Sequence, residues 1–176
     1  DRLMKITLFF NDLIDLMSVQ SKNIEHYKQY SIAPIFFIHL LLVVPSTLLL
    51  GDPEVSFNSE LTIHLILTFV FTFINAIFFM YWFGRVNIHY SFLTFLNFEI
   101  LISIAANIPF IAIAFLMDIF DSYPLMGFIA GIGAIMYVIY MFSLNLAKAT
   151  GSIEKYAFAA IMISVFYQLI PEYILL

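Results

Sequence analysis

Five apolar runs, Ser31–Leu50, Leu61–Phe83, Ser91–Met117, Leu125–Ala147 and Ile153–Ile174, leave this chain few ways to fold. As helices, each reaches the roughly 20 residues needed to cross about 30 Å of hydrocarbon. Backbone polar groups in lipid must be satisfied internally, which permits only helices or a closed barrel. A barrel would alternate with period two in segments of about ten residues, and no such alternation is present. The expected fold class is therefore all-α: a polytopic membrane helix bundle with five transmembrane helices. Composition agrees. Of 176 residues, 63% are hydrophobic and 11% charged, with a mean hydropathy of +1.01. A soluble core of this size could not hide so much apolar surface.

The links carry turn chemistry: Gly51-Asp52-Pro53, Gly84-Arg85-Val86-Asn87, Ser122-Tyr123-Pro124 and Thr150-Gly151-Ser152. Links this short make neighbouring helices antiparallel, and the charges then sort by side. Arg2, Lys5, Lys22, Lys28, Arg85, Lys148 and Lys155 all fall on one side of a five-crossing topology. Asp52, Glu54, Glu60, Asp118, Asp121 and Glu172 fall on the other. The basic side faces the cytoplasm, so the expectation is a multi-pass protein with its N-terminus in and its C-terminus out. Tyr27, Tyr30, Tyr81, Trp82, Tyr90 and Tyr156 are placed for an inner aromatic belt, Tyr123 and Tyr173 for an outer one.

Ahead of the first run, Leu3, Ile6, Phe10, Leu13, Ile14 and Met17 recur at helical spacing, with Lys5, Asn11, Asp12 and Asp15 off the stripe. Residues 1–30 are read as an amphipathic segment on the cytoplasmic membrane surface, and 31–176 as the transmembrane domain. A helix packed against a further soluble domain is the alternative. No signal peptide is expected. Asp1 opens the chain and Leu176 closes it inside an apolar run, which leaves room for further segments at either end.

Polar residues inside the runs are costly and should face the bundle interior. Glu99, Ser103 and Asn107 share one face of the third run; His64, Thr68, Thr72 and Asn75 share one face of the second. The first run contributes His39 and Ser46. His39, Asn75 and Glu99 each lie about 12 Å from the cytoplasmic end of their helix, with Tyr140 and Ser164 near that level. This polar layer is either a set of interhelical hydrogen bonds that fixes register or a solute or proton site around Glu99. In the fourth run Gly127 and Gly131 form one small-xxx-small pair, and Ala130 and Ala134 another; Ala157, Ala160 and Ser164 form a matching stripe in the fifth. Small residues let helix backbones approach closely in lipid, within the monomer first and in a homodimer second. Pro45, Pro109 and Pro171 are expected to kink their helices.

Several chemistries are excluded by residue type. There are no cysteines, hence no disulfides or thiolate sites. No phosphate-binding glycine loop or hydrolase motif is present. His26, His39, His64 and His89 show no metal spacing, so no metal or cofactor is expected. Basic residues are too few for nucleic acid. The partners expected are the lipid bilayer and either other proteins or a second copy of the chain.

The topology, the run Phe83-Gly84-Arg85-Val86-Asn87-Ile88-His89-Tyr90-Ser91-Phe92 and the ending Leu144-Asn145-Leu146-Ala147-Lys148-Ala149-Thr150-Gly151 resemble the YIP (YIPF, Ypt-interacting protein) family, in a prokaryotic form, from about Leu13 onward. The double glycine common in prokaryotic members is a single Gly84 here, and the Asp-Leu-Tyr-Gly-Pro-like motif of eukaryotic members is absent. The resemblance implies a non-enzymatic protein acting through helix and partner contacts in membrane organisation or trafficking. It implies no catalytic residues and does not carry over GTPase binding. The other expected function is a small transporter or channel subunit built round Glu99, His39 and Asn75.

Overall fold

The computed structural model describes residues 2–51, 54–119 and 124–175, without the side chains of 2–4, 50, 117–119, 124 and 172–175. Asp52, Pro53, Ser122 and Tyr123, and the side chain of Tyr173, therefore lie outside what is described. The described residues form six α-helices: α1 Arg2–Met17, α2 Ile32–Leu50, α3 Phe57–Gly84, α4 Phe92–Ile119, α5 Pro124–Thr150 and α6 Glu154–Leu175. A short 3-10 helix, Ile24–Gln29, joins α1 to α2. Four helices are long and apolar enough to cross a membrane, over Ile32–Leu49, Phe57–Gly84, Phe92–Leu116 and Leu125–Thr150. The fifth run, α6, is also long enough at 22 residues, but Glu154 and Lys155 at one end and Gln168, Pro171 and Glu172 towards the other dilute it, and it is not among the four.

Helix α4 is the hub, packed against α2, α3 and α5, while α5 packs on α6. The bundle is apolar outside and polar within. Phe37, Leu48, Ile66, Phe115, Phe128 and Phe166 are exposed, whereas His39, Thr72, Asn75, Glu99 and Asn145 are buried. In water this arrangement would be penalised twice, by exposed apolar area and by desolvated polar groups. Lipid reverses the first penalty, and internal hydrogen bonds offset the second.

Three links at one end of the bundle close with the same capping geometry. Val19, Asn87 and Gly151 adopt left-handed conformations (φ 57°, 61° and 68°). In each case the following amide reaches back five residues: Gln20 to Asp15 O, Ile88 to Phe83 O, and Ser152 to Ala147 O. These are Schellman caps, which satisfy the last carbonyls of α1, α3 and α5. Asparagine and glycine tolerate this conformation, while β-branched Val19 is strained there. Gly84 is not the conformationally demanding residue of its link, since a Cβ there would meet only the His89 ring, at 3.8 Å. A Cβ at Gly51, by contrast, would run into the Glu60 carboxylate and the Thr47 carbonyl.

Helix α1 turns part of its apolar stripe outward and packs other residues into the bundle. Leu13, Leu16, Ile24 and Tyr27 are buried in the same core as α3, α4 and α5, so this part of the N-terminal segment contributes to the bundle's interior. Ile6, Phe10 and Ile14 of the stripe are exposed, at 53%, 57% and 54%. Asp12, off the stripe and expected to be solvated, is fully buried. Tyr27 is not a belt residue, because it is wholly enclosed and its ring lies 5.4 Å from Phe98. Pro45, Pro109 and Pro171 sit inside helices that continue on both sides.

Candidate functional site

A half-open cavity of about 500 Å³ enters the bundle, lined by all five long helices. Helix α2 contributes His39, Val43, Ser46 and Thr47; α3 contributes His64, Thr68, Thr72 and Asn75 among others; and α4 contributes Glu99, Ser103 and Asn107 with Ala106 and Phe110. Apolar residues of α5 (Ile135, Val138, Ile139, Phe142) and Val165 with Gln168 of α6 complete the wall. The polar rows of the first three runs meet here because each repeats every three or four residues, the spacing of one helix face.

The cavity is one-sided. No lining residue lies closer to the α1 end of the bundle than His39, Asn75, Glu99, Phe142 and Val165. Below that level the interior is filled by Phe79, Phe83, Phe95 and Phe98, all but fully buried. The Phe83 and Phe95 rings stack at 5.9 Å and 17°. From Asn75 to His64 the lining extends about 16 Å along α3 at the helical rise, away from this aromatic floor.

Glu99 stands on the floor. Asn75 Nδ2 donates to its Oε1 at 2.6 Å, and Asn75 Oδ1 in turn accepts from the Tyr167 hydroxyl of α6. Gln168 Nε2 donates to Ser164 O at 3.0 Å and lies 3.5 Å from Asn75 Oδ1. His39 does not partner Glu99; its Nε2 lies 3.3 Å from Thr72 Oγ1. Thr72 carries one hydroxyl proton, and the Thr68 carbonyl at 2.7 Å is the nearer acceptor. This assigns the Nε2–H tautomer to His39 and leaves Nδ1 as a bare acceptor. Glu99 Oε2 and His39 Nδ1 are both buried with no hydrogen-bond partner. Higher up, His64 Nδ1 pairs with Thr47 Oγ1 at 3.0 Å. Ser103 and Asn107 line the cavity. Tyr140, expected near the polar layer, is 58% exposed and turns away from it.

On the packing residues, Ala134, Ala157, Ala160 and Ser164 are buried, while Gly127 and Gly131 are half-buried. Gly133 faces open space. Among the described residues no group of three or more His, Asp or Glu could hold a metal ion.

A second polar cluster lies at the α1 end. Asp12 accepts from Lys22 Nζ at 2.5 Å, Tyr30 OH at 2.5 Å and His26 Nε2 at 2.8 Å. Burial pushes the Asp12 carboxyl up, but the bonds from Lys22, Tyr30 and His26 and the His26 charge outweigh it and hold the carboxyl below its ordinary value. The hydrogen bond to Asp12 raises Lys22 against its own desolvation. Burial pushes the Tyr27 phenol up to about 12. Burial, then the bond to Asp12, raises Tyr30 as well. Two asparagines fasten this corner to the bundle. Asn97 of α4 donates to Tyr27 O and Tyr30 O at 3.3 and 3.0 Å, and Asn145 of α5 donates to Leu16 O at 2.7 Å.

Compared with family models, curated proteins and solved structures, the chain matches none.

Proposed function

We propose that this is a non-enzymatic, multi-pass membrane protein of five spans, α6 included, whose central cavity takes up a small polar solute from one side of the bilayer, as a small transporter or channel subunit would. The N-terminus is cytoplasmic, and the cavity opens away from it. One observation carries the reading: Glu99 lines the cavity, and its buried carboxyl has one oxygen without a partner. A register-fixing polar layer would be closed to water, whereas this one borders a half-open cavity. Carboxylates held inside spans mark solute and ion pathways, and 500 Å³ is within the size range of ligand sites.

A second reading, partner contacts in membrane organisation as the YIP-like pattern implies, is favoured by the uncovered Ile6-Phe10-Ile14 stripe of α1. The chain has no native cysteine, so single thiols separate the two. Ser103→Cys, on the cavity wall, should react with a water-soluble, membrane-impermeant thiol reagent. Leu101→Cys, in the buried core two residues away, should not. Equal protection of both thiols would remove the solute-binding reading and leave the partner-contact one.

A further inference from the structure

Resting on that reading, we propose that the cavity selects a small hydrogen-bond-donating cation, of the ammonium or primary alkylammonium class, and that Glu99 and His39 receive it. The argument is a count of donors and acceptors on the floor. The hydroxyl protons of Ser46 and Thr72 go to carbonyls of their own helices, Leu42 O at 3.0 Å and Thr68 O at 2.7 Å. The Asn75 amide donates to Glu99 Oε1, and the Gln168 amide to Ser164 O. Of the fully buried polar atoms on the floor, Glu99 Oε2 and His39 Nδ1 are the two left without a partner. A carboxylate oxygen and a bare imidazole nitrogen are both acceptors.

Acceptors without donors call for a ligand that brings donors. Charge points the same way, because among the described residues no Lys or Arg lines the cavity. An anion would therefore meet Glu99 with nothing to neutralise it, at the depth where unpaired charge is most costly. A quaternary ammonium would satisfy the charge but leave both acceptors empty. An ammonium group supplies charge and N–H donors together, and charge-assisted bonds are the stronger kind. The apolar wall of Phe71, Phe110 and Ile139 above the floor suits a short alkyl tail behind the headgroup.

The test uses the purified full chain in nanodiscs, following its thermal midpoint at constant ionic strength. Methylammonium should raise the midpoint saturably, while tetramethylammonium and acetate should not. Glu99→Gln should weaken the half-saturating concentration of methylammonium roughly ten- to a hundredfold, the loss of a charge-assisted bond. His39→Leu should weaken it less. A second measurement covers the case in which Glu99→Gln fails to fold. On Ser103→Cys in the otherwise native chain, an aminoethyl methanethiosulfonate should react faster than its sulfonatoethyl counterpart, relative to their rates with a free thiol. Saturable binding of neutral acetamide, or equal relative rates for the two reagents, overturns the cation assignment and leaves the solute-binding reading standing. A reactive Ser103→Cys with no saturable methylammonium effect does the same. If no solute acts and Ser103→Cys is inert, both fall.

Discussion

Asp12 is the residue whose environment departs furthest from what its position along α1 suggests. It is an acid with no exposed surface, held by Lys22, His26 and Tyr30. Its carboxyl is held below its ordinary value, so the folded state binds this proton less readily than the unfolded chain does. The resulting stability is fully present above the ordinary carboxylate range. It is lost as the pH falls below about 5 and on through the lowered native value. Lys22, raised, adds stability that disappears only above its ordinary 10.5. Asp12→Asn should therefore cost about 1–3 kcal/mol at neutral pH and flatten the acid limb of the stability profile. Thermal midpoints of both proteins in detergent from pH 7 to pH 4 check this. Parallel acid limbs would show that Asp12 is not the titrating group.

At the scale of elements, the docking of α1 depends on its exposed carbonyls. A helix leaves its last four carbonyls without internal partners. Here Asn145 Nδ2 serves Leu16 O at 2.7 Å, and the Tyr137 hydroxyl serves Met17 O at 2.9 Å. Ser21 Oγ returns a bond to Asn145 O at 3.0 Å. Asn145→Leu keeps the bulk but leaves Leu16 O only the bond from Val19 N at 3.1 Å, so it should cost about 0.5–1.5 kcal/mol and raise amide exchange across residues 9–17. Ser143→Ala is the control, because Ser143 bonds only to Ile139 O of its own helix. Equal exchange in the two variants would mean that α1 is held by its apolar face alone. Helix existence was legible in advance, since runs of this length and hydropathy have no other solution in lipid. The rows that line the cavity were legible for a related reason: polar residues are rare in such runs, so their spacing stands out. The α1 corner was not legible. Asp12 lies on the polar side of its stripe, where solvation is the default expectation. Its partners follow 10 to 18 residues later in a segment without periodicity. Asn97 and Asn145, near helix ends, gave no sign of reaching into another element. Tyr167 and Gln168 could have been found, because an amide and a phenol side by side in an apolar run are the same signal that singled out Asn75.

At the scale of the whole molecule, the asymmetry of the bundle and the asymmetry of its charge make one statement about sidedness. The aromatic floor, the three left-handed caps, the Asp12 cluster and Arg85, Lys148 and Lys155 belong to one end. The cavity belongs to the other half, towards Thr47, His64 and Asn107. In the proposed orientation, with the basic residues on the cytoplasmic side, the cavity mouth faces outside. Asn58, exposed at the start of α3, and Val86, 42% exposed in the α3–α4 link, report the two ends. With an impermeant thiol reagent on intact cells, Asn58→Cys should label and Val86→Cys should label only after permeabilisation. Val86 is preferred to its neighbour Asn87 as the reporter because a cysteine at a φ of 61° would strain the cap being reported on. Labelling of Val86→Cys from outside would invert the protein and turn the cavity towards the cytoplasm. The cation proposal would survive that inversion, since it depends on the floor alone, but the solute would then be one supplied from within the cell.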